Sequence, residues 1–337
     1  MTLPFGVETD AETDDAAPCG GGRTAVEPPR QRPISDDRWR DLLHTRTLRP
    51  AAVAEAYAAR RRPDRLVSER GSMFLVAADH PARGALGTGG DPLAMADRRG
   101  LLDRLVTALS HPDVDGLLGS PDVVEELLLL GALEGKVVIG SMNRGGLAGA
   151  RWEIDDRFTG YDAASIEASG LEGGKMLLRL EDDDPGTAPT LAACAAAVTD
   201  LAGRGLMAMV EPLPYTRDGD RLVMLRDTAS LARAVTVASA LGTTSARTWL
   251  KLPACDEPEA VLGATTLPCV VLGGAPGPDP AADLDSWART LGVPTARGLV
   301  VGRALLYPPD GDVFAAVDAA ARLLTMPHRR AAGEGNP

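Results

Sequence analysis

Eight short apolar runs, each followed by a stretch with helical spacing, constrain this chain more tightly than any other feature of its sequence. The runs cover residues 73–78, 116–118, 137–141, 175–180, 207–213, 248–252, 269–272 and 298–301. They are continuous rather than alternating, which is the pattern of parallel strands buried on both faces. Helix-like segments fill the gaps at 95–110, 123–130, 163–169, 190–203, 230–241, 258–264 and 283–291, and 313–324 closes the series. Eight strand–helix units in one run predict an α/β fold, the (β/α)8 TIM barrel. A doubly wound open sheet is the alternative, but it does not ordinarily need eight units in succession. Ahead of the series, Trp39, Leu42 and Leu43, then Val53, Ala54 and Tyr57, predict two short helices from about Asp36.

Composition shifts set the expected domain limits. Residues 1–34 are rich in Asp, Glu, Gly, Pro and Thr and carry few large apolar side chains. Such a segment buries too little surface to offset its ordering entropy, so it reads as a disordered tail, the Gly20-Gly21-Gly22 run included. One barrel domain is expected over 35–327, with a frayed tail over 328–337.

Several function classes are disfavoured at the same stage. No apolar stretch reaches the ~18 residues of a membrane span, and the start of the chain has no basic-then-apolar secretory pattern. A net charge of −12 gives no electrostatic footprint for nucleic acid or anionic membrane. Cys19, Cys194, Cys255 and Cys269 lack paired spacing, which argues against a disulfide framework or a zinc knuckle. His44, His80, His111 and His328 lie at no ligand spacing from one another, so no metal is expected. His80 reads instead as a ring hydrogen-bonded at the barrel rim. The expectation is a cytoplasmic globular enzyme.

Chemistry in such barrels sits where the strands end. Asp79 emerges from the first run, and an ionised carboxylate there needs a partner or a task. In the fourth run Lys175, Leu177 and Arg179 share one face. Two cations facing a barrel interior require anions, either a ligand or protein carboxylates such as Glu211 or Asp79. The acidic run Glu181, Asp182, Asp183 and Asp184 reads as a solvated loop. Glu211 closes the fifth run, and Lys251 lies between two leucines in the sixth. A lysine so placed is a buried ion-pair member or a nucleophile. Desolvation and a second cation such as Lys175 expose its lone pair, Glu211 works against that, and spacing leaves both readings open. Only Lys136, Lys175 and Lys251 are lysines among 35 basic residues, which directs attention to these positions. The seventh and eighth runs end in Gly273-Gly274 and Gly302-Arg303, where backbone N–H groups and a guanidinium can cradle a phosphate.

Taken in order, these segments resemble the class I (Schiff-base) aldolases of the tagatose-bisphosphate and archaeal-type fructose-bisphosphate group, over most of residues 70–308. Within that group they are similar to actinobacterial aldolase-like barrels associated with inositol catabolism. The resemblance implies Lys251 as the Schiff-base amine, Glu211 as the proton carrier, and Asp79 and Lys175 as groups that orient substrate hydroxyls. It implies Gly273, Gly274, Gly302 and Arg303 as the phosphate site, with Arg179 and Arg144 available to a second anionic end. No cofactor beyond the covalent imine is implied. The expected partner is a small phosphorylated sugar, and the resemblance admits a homo-oligomer whose order no residue pattern fixes.

The reaction it implies is cleavage of a phosphorylated keto-sugar or keto-sugar acid into dihydroxyacetone phosphate and an aldehyde, with 6-phospho-5-dehydro-2-deoxygluconate the favoured candidate. Ketose bisphosphates and deoxyribose phosphate are alternative substrates. The latter activity needs a second lysine in the seventh run, where this chain has Val270, Val271 and Leu272. A non-catalytic sugar-phosphate-binding barrel is the alternative of another class, and it would hold Lys251 in a salt bridge.

Overall fold

A computed structural model describes residues 33–69, 71–274, 276–277 and 279–325. The eight predicted runs are its barrel strands: β1 (Met73–Ala78), β2 (Gly116–Gly119), β3 (Val137–Ser141), β4 (Gly173–Leu180), β5 (Met207–Asp218), β7 (Thr248–Pro253), β8 (Cys269–Leu272) and β9 (Ala296–Val301). All neighbours are parallel, and the β4–β5 pairing closes the ring. The fold is a (β/α)8 barrel. A ninth strand, β6 (Arg221–Met224), was not expected. It pairs antiparallel with Tyr215–Asp218, so that β5 runs past the barrel mouth into a hairpin. Gly219, at φ +60°, begins its two-residue turn.

Alternation along the strands sorts the apolar residues into two cores. Met73, Leu75 and Ala77 of β1 face inward with Ile139, Met207, Met209, Val270 and Val300. Phe74, Val76 and Ala78 face outward, beneath the helices. Those helices are α3 (Arg98–Leu109), α4 (Pro121–Leu129), α5 (Ala163–Ala168), α6 (Thr187–Gly203), α7 (Thr228–Ser239), α8 (Pro258–Leu262), α9 (Pro280–Leu291), the short α10 (Arg303–Leu306) and α11 (Val313–Thr325). Because side chains alternate with period two, Asp79, Ser141, Lys175, Glu211 and Lys251 all fall at positions that continue the inward series. Alternation thus turns a list of strand ends into one site.

Two helices precede the barrel, α1 (Asp36–Leu48) and α2 (Ala51–Ala59). Ser35 caps α1 by accepting from the Arg38 N–H at 3.3 Å. Just after α2, Arg60 reaches under the barrel and donates to the carbonyls of Lys136 and Gly170 and to Glu172 Oε1. Glu172 Oε2 accepts from the Val138 N–H at 2.8 Å, so this buried pair fastens the N-terminal floor. Leu66, Val67 and Trp249 pack against the inner core. Ile34, assigned to the tail by composition, is fully buried, and its N–H donates to Asp103 Oδ1. Residues 1–32 of the expected N-terminal tail, with Cys19 and the Gly20 run, lie outside the described residues, as do His328 and the expected C-terminal tail.

Candidate active site

Opposite the sealed floor, the strand ends open into a cleft of about 510 Å³. Its base is a chain of four charged side chains from four strands. Lys251 Nζ lies 3.0 Å from Glu211 Oε1, and Lys175 Nζ lies 2.5 Å from Glu211 Oε2. Lys175 Nζ also donates to Asp79 Oδ2 at 3.2 Å. That oxygen further accepts from Ser141 Oγ at 3.1 Å and lies 3.0 Å from Arg144 Nη2. Lys175 and Lys251 are only 2% and 3% exposed, so neither ion pair is diluted by solvent.

Burial and mutual charge set the protonation of this group. Burial pushes the Asp79 carboxyl upward, but Arg144, Lys175, His80 and Lys251 outweigh it and hold the pKa well below the usual carboxylate range. Glu211 follows the same logic, burial opposed and overcome by Lys175 and Lys251, and falls to about 2. Burial lowers Lys175 to about 8 despite Asp79 and Glu211, with Lys251 and Arg144 adding to the lowering. The site therefore holds ionised carboxylates beside an ammonium poised to lose its proton near neutrality.

At one side of the cleft lie the two glycine turns. Gly274 is in the left-handed region at φ +65°, and a Cβ on Gly302 would stand 2.5 Å from the Ala77 carbonyl. Glycine is thus required at both turns for backbone reasons. Gly273 lines the same wall, and Arg303 opens α10 beside it. Among the described residues Arg303 makes no ion pair, and its Nε is buried without a hydrogen bond. The structure thus brings all ten predicted site residues to one cleft, in its base and walls.

The arginines differ in what holds them. Arg179 pairs with Glu153 at 2.9 Å and approaches Asp156 at 3.5 Å, rather than joining Lys175 on Asp79 and Glu211. Arg144 is held by Asp79 and by the carbonyls of Asn143 and Asp79. Neither Glu153 nor Asp156 was anticipated; both sit in the long loop after β3, at no spacing that marks them. Arg83, in the turn Pro81–Arg83, is fixed by Asp156 at 2.5 Å and by the Asn143 and Gly146 carbonyls. Tyr215, Met224 and Arg226 reach the cleft from the unexpected hairpin, and Ser286 and Trp287 from α9.

One expectation is refined and one is corrected. Asp182 and Asp183 are exposed in a loop as expected, with Asp182 paired to Arg233 and Asp184 to Arg217, but Glu181 is buried. The His80 ring was expected to be hydrogen-bonded; its Nδ1 is buried and makes no hydrogen bond. Among the described residues no group of His, Cys, Asp or Glu is arranged to hold a metal ion, and no helix is long and apolar enough to cross a membrane.

The crystal structure of Cgl0159 from Corynebacterium glutamicum is 47% identical and superposes with a TM-score of 0.84, covering 86% of this chain and 98% of that one. A Schiff-base-forming fructose-1,6-bisphosphate aldolase is 17% identical, with a TM-score of 0.60 and coverage of 81% and 99%. The fructose-bisphosphate aldolase of Slackia heliotrinireducens is 15% identical, with a TM-score of 0.54 and coverage of 90% and 97%. At these identities the two aldolases share the barrel fold. No curated protein matches the sequence. Residues 71–321 match the family model described as Cgl0159-like, and the chain belongs to that family.

Proposed function

We propose that the protein is a class I aldolase that forms a Schiff base through Lys251 and cleaves a phosphorylated keto-sugar or keto-sugar acid. One observation carries the reading: a buried amine at the barrel mouth shares a single carboxylate with a second buried amine, on the same cleft as two glycine turns and an unpaired arginine. The fold it shares with Schiff-base fructose-bisphosphate aldolases agrees with this chemistry.

In the proposed reaction Lys251 gives a proton to Glu211, and its lone pair attacks the substrate ketone. The carbinolamine hydroxyl leaves as water with a proton from Lys175, which regains one from Glu211. The resulting iminium is the electron sink. As the β-hydroxyl loses its proton, the C–C bonding pair moves into an enamine and the aldehyde departs. Asp79 and Lys175 orient and polarise the substrate hydroxyls, while Gly273, Gly274, Gly302 and Arg303 hold the phosphate next to the ketone. Arg179 and Arg144 line the rest of the cleft. Because Glu153, Asp156 and Asp79 already offset their charge, that region suits a carboxylate better than a second dianionic phosphate. This favours a keto-sugar acid such as 6-phospho-5-dehydro-2-deoxygluconate, and a place near inositol catabolism, over a ketose bisphosphate. The catalytic unit is assigned to the expected barrel domain, residues 35–327, with Ile34 added by its burial in the core.

Borohydride reduction in the presence of dihydroxyacetone phosphate tests the reading. A stable mass increase on Lys251 is expected, and an unmodified Lys251 would count decisively against it. The Lys251–Glu211 ion pair equally favours a second reading, a non-catalytic sugar-phosphate-binding barrel. That reading wins if the wild type has no aldol activity and Lys251→Ala still binds the phosphorylated ligand.

A further inference from the structure

Cleavage leaves an enamine whose terminal carbon must gain a proton, and at the base of the cleft Glu211 and Lys175 are already committed to forming the iminium. Glu211 is shared by two amines, and Asp79 Oδ2 is engaged by Ser141, Lys175 and Arg144. Of the titratable cleft residues that this chemistry leaves unused, Glu153 and Tyr215 are held by Arg179 and Asp283 accepts from the Gly277 N–H, while His80 makes no hydrogen bond through its ring. It follows Asp79 at the end of β1, with ring Cε1 close to Gly302, 3.3 Å from where a Cβ there would stand. The ring thus sits between the Asp79 carboxylate and the turn that precedes Arg303.

The hydrogen-bond pattern orients the ring. Nδ1 is buried without a partner and stands 3.8 Å from Asp79 Oδ1, an oxygen that no described group hydrogen-bonds. Nε2 makes no hydrogen bond either, and the ring lines the cleft. A slight closure lets Nδ1–H donate to Oδ1, which selects the tautomer whose lone pair is on Nε2.

We propose that His80 is the catalytic proton carrier for the substrate carbon adjacent to the Lys251 iminium. Nε2 takes a proton from that carbon, the C–H pair becomes the enamine double bond, and the C=N π pair goes to nitrogen. In the cleavage direction Nε2 first takes the β-hydroxyl proton as the C–C bond breaks, and the imidazolium so formed delivers that proton to the enamine carbon as the same electrons move back. The charges around the ring support this. Burial lowers its pKa to about 3, with Asp79 and Glu211 opposing and Arg303 and Lys251 assisting, so the free site holds a neutral base. A phosphate dianion over Arg303 offsets one of those cations and raises the proton affinity of the ring once substrate is bound.

The inference rests on the Schiff-base reading, and the test separates the two. Wild type, His80→Asn and His80→Gln are incubated with dihydroxyacetone phosphate in D2O. Exchange at the hydroxymethyl carbon is followed by NMR, and the iminium is trapped by borohydride in parallel. We expect exchange in the wild type, and a loss of ~10²–10⁴-fold in both variants while trapping on Lys251 persists. Exchange retained in either variant overturns the proposal and leaves the ring as packing against Gly302. Exchange absent from a wild type that traps overturns it too, as does equal loss of trapping and exchange in both variants, the signature of a structural role. A wild type that does not trap removes the Schiff-base reading itself, and this inference with it.

Discussion

Lys175 touches both carboxylates of the site, so its proton sets the charge balance of the whole group. With burial holding its pKa near 8, the ammonium that serves as acid in the proposed reaction is lost as pH rises through that value. The kcat/KM profile for retro-aldol cleavage should therefore fall on its alkaline limb near pH 8. Lys175→Arg, whose guanidinium stays charged, should abolish that limb while lowering the rate by roughly 10²-fold. An unchanged limb in this variant would assign the titration to another group. Asp79, Lys175, Glu211 and Lys251 were legible in the sequence because a charged residue at the inward end of an apolar strand has few explanations. Their pairing was not. Spacing could not say whether Lys251 meets Glu211, because that depends on the closure of the ring, and it could not show that Arg179 turns away to Glu153.

At the scale of elements, the loop after β3 owes its shape to one carboxylate. Asp156 is buried, accepts from Arg83 and from the Gly146 N–H, and lies near Arg179. Asp156→Ala leaves the buried Arg83 guanidinium without its counter-charge, and burial already depresses that group to about 10. A loss of roughly 3–5 kcal/mol is expected, measurable by denaturant unfolding, and a loss below about 1 kcal/mol would mean that the carbonyls of Asn143 and Gly146 suffice alone. Strand positions were readable because parallel strands are apolar throughout. The hairpin was missed because Thr216, Arg217 and Asp218 carry no apolar alternation, although Asp218-Gly219 is itself a turn signal. Glu153 and Asp156 were missed for a related reason: loop residues are gathered by the path of the chain, which no local period records.

Across the whole molecule, the buried carboxylates tie stability to pH. Glu211 titrates at about 2 in the fold against 4.5 when unperturbed, and Asp79 is likewise depressed. A depressed carboxylate contributes stability that is fully present above its unfolded value and is lost as pH falls through its folded one. The denaturant midpoint should thus decline between about pH 4.5 and 2, and Glu211→Gln should flatten part of that decline. An identical slope in the variant would place the acid sensitivity elsewhere. The molecule also divides its labour between its two ends, with Arg60 and Glu172 fastening the floor and the mouth left to chemistry. The hairpin stands at the mouth but outside the ring. Its ladder joins Tyr215–Asp218 to Arg221–Met224, past the residues through which β5 bonds β4 and β7. Such an appendage can be lengthened, trimmed or exchanged without cutting a rung of the closed cylinder, so the lining of the cleft at its rim can be retailored while the four charged groups below keep their places.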